Sequence, residues 1–204
     1  KIGAIEQRLG LSWQHERQTP EGAEATINRA LTATVGWLWR YADDPLDPAE
    51  GIVAQLQLGV AAKALLSDQD FLRSYFRYSQ GVPLGKDDSV LLRGEVGATF
   101  APSREGIPQD YLFRAGGSNS VRGYAYQSLG PRDHKDEPLG GRSYQVVNLE
   151  ARYKITEDVG IVPFLDGGMV YRDELPRIIG DMNWGAGLGL RYYTPIGPVR
   201  LDVG

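Results

Sequence analysis

Cysteine and long apolar runs are both absent from this sequence of 204 residues. The lack of cysteine fits an oxidising envelope compartment, although many cytosolic proteins also lack it. No apolar run approaches the roughly 18 residues that a membrane-spanning helix needs, and the mean hydropathy of −0.33 is unlike that of a helical membrane protein. The two histidines, His15 and His134, lie far apart in the sequence, and no His/Cys cluster has the spacing of metal ligands. We therefore expect neither a metal site nor a cofactor.

An excess of basic charge is missing as well. The formal net charge is −4 and the pI is about 5.3, which argues against a nucleic acid as partner. No nucleophile stands in a recognisable pattern with a base, so we do not expect an enzyme. The 26 glycines and 11 tyrosines suit strands and tight turns. The absence of long apolar runs does not exclude a membrane β-barrel, because a barrel strand needs only about ten alternating residues.

What the sequence does contain is a repeated alternation of apolar and polar residues. Alternation with a period of two predicts a β-strand with one apolar and one polar face. Nine such runs occur, and their apolar positions begin at Leu9, Leu31, Ile52, Leu72, Val90, Val147, Ile161, Trp184 and Val199. The predicted fold class is therefore all-β.

Alternation fits both a soluble sandwich and a membrane barrel, and two features of the runs favour the barrel. The polar faces carry charges of both signs together with many glycines, as a wet or ion-paired lumen would. The apolar faces end in aromatic residues, for example Trp37, Trp39 and Tyr41 in the second run and Tyr78 in the fourth. Aromatic residues at strand ends are typical of the interfacial girdles of outer-membrane barrels.

The segments between the runs are rich in proline, glycine and aspartate. Residues 43–48, 81–85 and 195–198 have the composition of turns, because proline fixes φ and glycine allows positive φ. One connection differs, since no strand pattern occurs from about residue 101 to 141. Loops of this length are usually functional or disordered.

A motif within this long segment resembles a known family. Residues 113–131 include Val121, Arg122, Gly123 and Tyr124, which resemble the VRGF/Y motif of the Omp85 superfamily of outer-membrane barrels. Two flanking features, Gly116 with Gly117 and the sequence of residues 126–131, are closest to the TamA branch of that superfamily. The BamA branch is a close relative.

The resemblance implies an antiparallel transmembrane β-barrel in the bacterial outer membrane. Family barrels have sixteen strands, so residues 1–204 would be the C-terminal part of the barrel, from about the seventh strand to the fifteenth. The last strand and the periplasmic POTRA domains would then lie outside this sequence. The loop at about 101–141 would fold into the lumen.

The resemblance also implies partners for the loop arginine. In the family this arginine pairs with acidic residues on the next two strands, and the matching positions are Glu150 and Asp166. Alternation independently places Glu150 on the polar face of its strand, and Asp166 on the side opposite Leu165. Arginine is suited to this role because its planar fork stays charged and can bind two carboxylates at once. The alternative is that these are three unconnected solvated charges.

A glycine-rich stretch at 185–189 superficially resembles a nucleotide-binding loop. It lies inside an alternating run, and no helix pattern follows it, as such a loop would require. Small residues that make room in the lumen are the preferred interpretation.

The resemblance implies an assembly factor that inserts other β-barrels, particularly autotransporters, into the bilayer. Its partners would be unfolded outer-membrane clients, the lipid bilayer and a TamB-like protein of the inner membrane. One alternative is a two-partner-secretion pore, which shares the loop motif but exports an unfolded polypeptide. Another is a passive porin or surface adhesin in which the motif is coincidental.

Overall fold

A computed structural model of the chain describes residues 4–18, 26–43, 48–177, 181–194 and 197–204. One antiparallel sheet contains nearly all the regular structure of these residues. Its strands are β1 Ala4–Gln18, β2 Thr26–Ala42, β3 Gly51–Ala61, β4 Phe71–Leu84, β5 Asp88–Phe100, β6 Ser143–Lys154, β7 Val159–Tyr171, β8 Asn183–Thr194 and β9 Gly197–Val203. Each strand pairs with its neighbours in chain order, from β1 at one edge to β9 at the other. Two short 3-10 helices, Lys63–Leu65 and Gln109–Tyr111, lie between strands. Among the described residues, no helix has the length and apolar character needed to cross a membrane.

All nine alternating runs form strands, so the all-β, antiparallel fold class is confirmed. Two boundaries were wrong. The alternation of the third run continues to Ala64, which predicts a strand to that residue, but β3 ends at Ala61. A 3-10 helix begins at Lys63, whose backbone N–H donates to the Asp70 carboxylate (2.7 Å). The turn expected at 81–85 starts too early, because the β4–β5 ladder continues to the pair Leu84 and Asp88.

Parts of two other expected turns, residues 44–47 and 195–196, lie outside the described residues, as do residues 1–3.

The sheet has an apolar face and a polar face, because the register aligns the alternation of neighbouring strands. Leu56 pairs with Phe76, and Phe76 pairs with Val96. The apolar face leaves large side chains uncovered, and Leu9 is 80% exposed. The described residues form no second sheet that could cover this face. A soluble sandwich would bury such residues against a second sheet, so the exposed face fits a lipid-facing wall.

The polar face is covered by the loop between β5 and β6, residues 101–142, called here the β5–β6 loop. Its more C-terminal part packs against β6 and β7, in an apolar cluster of Phe113, Ala115, Val121, Leu129, Tyr144, Val146 and Val170. Its first part packs against β2, β3 and β4, in a cluster of Ala30, Ala61, Phe71, Ala101, Ile107 and Leu112. The buried core of the chain therefore lies between the loop and the polar face.

Polar contacts also join the first part of the loop to β1. The backbone N–H of Gln109 donates to the Glu16 carboxylate (2.8 Å), and the Gln14 amide donates to the Asp110 carboxylate (2.6 Å). The loop thus contacts the polar face from the first described strand onward.

Candidate functional site

The turn that presents Arg122 depends on glycines with positive φ. Gly116 and Gly117 have φ of 108° and 98°, a backbone region that favours glycine. The Gly117 N–H donates to the Val121 carbonyl (3.1 Å), and the Gly116 N–H donates to the Ser120 hydroxyl (2.8 Å). These bonds close a tight turn just before Arg122. The two flanking glycines of the motif therefore set the direction in which Arg122 leaves the loop.

Arg122 reaches both carboxylates named from the sequence. Its Nε and Nη2 donate to the two oxygens of Asp166 on β7, at 2.6 and 2.8 Å, and its Nη1 donates to Glu150 on β6 at 2.8 Å. The Arg122 backbone N–H adds a further bond to Asp166 (3.0 Å). A bidentate arginine–carboxylate pair is among the strongest and most directional of hydrogen-bonded contacts. The structure thus brings Arg122, Glu150 and Asp166 together.

A third carboxylate, which was not singled out from the sequence, completes the group. Asp202 on β9 accepts a bond from Arg122 Nη1 (3.1 Å) and pairs with Arg191 of β8. Arg152 pairs with Glu150 at 3.2 Å. The resulting carboxylate cluster joins three acidic and three basic side chains: Glu150, Asp166, Asp202, Arg122, Arg152 and Arg191. Its formal charges balance, which is what burial of so many ions requires.

Uncharged groups hold the same cluster in place. The Arg122 guanidinium carbon lies 3.6 Å from the ring centroid of Phe164, a cation–π contact. The Asn148 amide donates to Asp166 (2.9 Å) and to the Ser120 carbonyl of the loop (2.6 Å). The central groups are well covered, with Asp166 0% exposed and Arg122 7% exposed.

The surroundings keep Arg122 charged. Burial by itself lowers the pKa of Arg122, but the hydrogen bonds to Asp166 and the charge of Glu150 outweigh burial and raise the pKa above its ordinary value. Such a group neither gives nor takes a proton near neutral pH. Among the described residues, no three His, Cys, Asp or Glu side chains are arranged to hold a metal ion. The cluster is therefore suited to holding the loop, and not to proton transfer.

The other motif residues pack the loop against the wall. Val121 is fully buried in the apolar cluster, and a side chain on Gly168 of β7 would come within 2.7 Å of it. The Tyr124 hydroxyl donates to the Trp184 carbonyl of β8 (3.2 Å). Gly123, with φ of 89°, lies against Gly204, where a Cβ would come within 3.2 Å of backbone.

The three glycines of the stretch at 185–189 lie on the polar face of β8, and Gly185 lies directly under this turn. A Cβ at Gly185 would overlap the Arg122 carbonyl oxygen, and one at Gly187 would overlap the Val203 carbonyl oxygen. The stretch is part of a continuous strand, Asn183–Thr194. This arrangement agrees with small residues that make room for the loop, and not with a nucleotide-binding turn.

The loop tip, away from the cluster, is an exposed hydrogen-bonded turn. The backbone N–H groups of Glu137 (2.9 Å) and Lys135 (2.8 Å) donate to the Asp133 carboxylate. These bonds stabilise the charged form and lower the pKa of Asp133. His134 lies in this exposed tip and His15 on β1, so the structure does not bring the two histidines into one site.

Several known proteins resemble this chain in sequence. Residues 7–204 match the Omp85 superfamily domain. The chain is 26% identical over 178 residues to the outer membrane protein assembly factor BamA of Nitratidesulfovibrio vulgaris, which covers 81% of this chain and 22% of that protein. It is 28% identical over 175 residues to a SAM50-like protein of Schizosaccharomyces pombe, covering 78% of this chain and 37% of that protein.

A solved structure shows the same fold. The crystal structure of BamA from Haemophilus ducreyi lacking POTRA domains 1–3 superposes with a TM-score of 0.71 at 18% identity, over 90% of this chain and 40% of that one. The chain spans only 22% and 37% of the lengths of the two curated relatives.

The comparisons settle several expectations at the family level. The BamA relatives are assembly factors and not enzymes, which confirms that expectation, and they confirm the bacterial outer membrane as the location. They do not distinguish the TamA branch, which stays a prediction from the loop sequence. The match across residues 7–204 covers nearly the whole sequence, and the chain belongs to the Omp85 superfamily.

Proposed function

We propose that this chain is the loop-bearing part of a β-barrel that helps other β-barrel proteins to fold and insert into the outer membrane. Residues 1–204 would form the C-terminal part of that barrel, with the β5–β6 loop inside the lumen. One observation carries the proposal: Arg122 of the loop binds carboxylates from three different strands, β6, β7 and β9. The relatives named as assembly factors support it.

A physical reason links a fixed loop to assembly. Backbone polar groups cannot stay unpaired in lipid, so an incoming strand needs a template edge until its own barrel closes. A barrel that lends an edge must keep the rest of its wall in shape while that edge opens. Arg122 ties β6, β7 and β9 to one loop, and this tie would keep these strands in register during the exchange.

Finer features of the proposal rest on the loop sequence alone. The glycines Gly116 and Gly117 and residues 126–131 resemble the TamA branch, and from this we infer autotransporter clients and a TamB-like partner in the inner membrane. The number of POTRA domains in the full-length protein tests this inference. Several POTRA repeats would favour TamA, whereas two repeats with an N-terminal plug helix would favour the exporter.

The test uses the full-length protein in liposomes, offered two unfolded clients separately. One client is an autotransporter barrel and the other is a secreted β-helical protein. We expect faster insertion of the barrel with the wild-type protein, a loss of this acceleration with Arg122→Ala, and no loss with Arg132→Ala. Arg132 is a matched control because it lies in the same loop but pairs with the exposed Asp136 at the tip.

Two results would contradict the proposal. Passage of the β-helical protein into the vesicles without barrel insertion would identify an exporter. Equal acceleration by the wild type and the Arg122→Ala variant would show that the held loop is not needed for assembly.

A further inference from the structure

The apolar face carries a groove beneath the described parts of the connection between β7 and β8, residues 172–177 and 181–182. Its volume is about 640 Å³, within the range of about 300–1,000 Å³ typical of small-molecule sites. The wall of the groove is formed by Phe76 and Tyr78 of β4, Val96 of β5 and Val147 of β6. Its overhang is formed by three apolar residues of the connection, Leu175, Pro176 and Met182.

The overhang is held against the wall by a polar residue in an apolar surface. Gln145 pairs with Val96 in the register, so it lies on the apolar face. Its amide donates to the Tyr171 hydroxyl (2.8 Å) and to the Arg177 carbonyl (2.9 Å). The Tyr171 hydroxyl donates to the same carbonyl (3.3 Å). These bonds satisfy a group that would be costly to leave unpaired in lipid, and they hold the part of the connection up to Arg177 against the wall.

The floor of the groove is a notch at Gly94. A Cβ built on Gly94 would meet no atom within 4 Å, although its strand neighbours on this face are large apolar residues. The strands around the notch, β4 to β7, are each paired on both sides. Because these strands already have both neighbours, further strands of a larger barrel would add at the sheet edges and would not enter the groove. The groove opens toward the surroundings of the apolar face.

We propose that this groove binds one acyl chain of a bilayer lipid. The nature of the occupant is inferred from the position of the groove on the apolar face of the sheet, because the outer wall of an outer-membrane barrel contacts hydrocarbon. The lining is apolar apart from Gln145 and Glu95. The Gln145 amide is already bonded to the connection, and the Glu95 carboxylate accepts hydrogen bonds from Tyr75 and Tyr144. Leu175 is 63% exposed, although its connection also carries Arg172, Asp173, Glu174 and Arg177. An exposed leucine at the rim fits an overhang that contacts the chain rather than water.

The experiment counts lipids retained by the full-length protein after release from nanodiscs made of a single phosphatidylethanolamine. Native mass spectrometry gives the fraction of protein that carries a bound lipid. Gly94→Leu places a side chain in the notch, where the Cβ meets no atom within 4 Å. It should weaken lipid retention roughly tenfold, since it displaces about two methylene groups of the chain. Ala186→Leu adds the same side chain to β8 on the apolar face outside the groove, and it should leave retention unchanged.

A second measurement identifies the occupant. A photoreactive residue at position 94 should cross-link to lipid in the membrane, and Leu175→Asp, which places a charge at the rim, should reduce the yield. Equal lipid retention by Gly94→Leu and Ala186→Leu would overturn the proposal, as would cross-links to protein alone. The proposal concerns the lipid-facing wall, so its failure would leave the assembly activity and its Arg122 dependence untouched.

Discussion

Replacement of Arg122 by alanine is expected to release the β5–β6 loop from the polar face of the sheet. The wild-type side chain donates to Asp166, Glu150 and Asp202. Without it, the partners of the fully buried Asp166 among the described residues are the Asn148 amide and the backbone N–H of residue 122. Three carboxylates would then face two arginines, and the uncompensated charge would lie at the most buried position.

The size of the effect follows from this burial. Removing one partner of a buried ion pair costs about 3–5 kcal/mol, which changes the ratio of docked to undocked loop by roughly a hundredfold to several thousandfold. Arg122→Lys keeps the charge but lacks the planar fork that binds both oxygens of Asp166. We therefore expect lysine to have an intermediate effect.

Limited proteolysis of the full-length protein in liposomes measures the docked fraction directly. The loop should be cleaved much faster in Arg122→Ala than in the wild type, with Arg122→Lys between them. Arg132→Ala should be cleaved at nearly the wild-type rate, because exposed ion pairs contribute about 0–1 kcal/mol. Global unfolding, measured in parallel by circular dichroism, separates loop release from loss of the barrel.

Equal cleavage rates in the wild type and Arg122→Ala would refute the reasoning. The apolar cluster around Phe113 would then hold the loop without help from the ions, and the balanced charges would be an incidental feature of a crowded interior.

Three further outcomes are expected. Gly185→Ala should increase loop cleavage, because its Cβ overlaps the Arg122 carbonyl oxygen, whereas Gly94→Ala, which points into open space, should not. Phe113→Ala removes a buried ring stacked 4.6 Å from that of Tyr144, and it should lower the stability of the docked loop, measured by hydrogen exchange, by about 3–5 kcal/mol. The pKa of Asp133 is lower in the folded loop than in the unfolded chain. The contribution of Asp133 to the stability of the folded loop is therefore present above the unfolded pKa of about 3.9, and it is lost as the pH falls through the folded pKa. An unshifted pKa of Asp133 in an NMR titration would contradict this.

Strand count and face orientation could be predicted from the sequence because both depend on local alternation. In a strand, successive side chains point to opposite faces, so Leu9, Leu56 and Leu188 belong to one face whatever the rest of the chain does. Boundaries were less predictable, since they depend on partners. β4 continues past Pro83 because β5 offers a pairing strand up to Asp88, which no property of residues 81–85 indicates.

The candidate site was predictable only in part. Alternation places Glu150, Asp166 and Asp202 on polar faces alike, and only the family resemblance singled out Glu150 and Asp166 as partners of Arg122. Asp202 is eighty residues from Arg122 in the chain, and the two meet only because β9 follows β8 across the polar face. Phe164 was equally hidden. Alternation with the outward-facing Leu165 places its ring on the polar side, and its role is apparent only once the Arg122 guanidinium is found over the ring.

Two segments of the β5–β6 loop contact opposite edges of the described sheet, and this explains why the loop is long. Gln109 and Asp110 bond to side chains of β1, whereas Arg122 bonds to β9. A short turn between β5 and β6 could reach neither edge, and lengthening a loop adds little closure entropy, about 0.6 kcal/mol for each doubling. Glu16 and Asp202 take part in these contacts through their side chains. A loop that contacts β1 and β9 in this way can therefore restrain the distance between these strands while their backbone groups stay available for strand pairing.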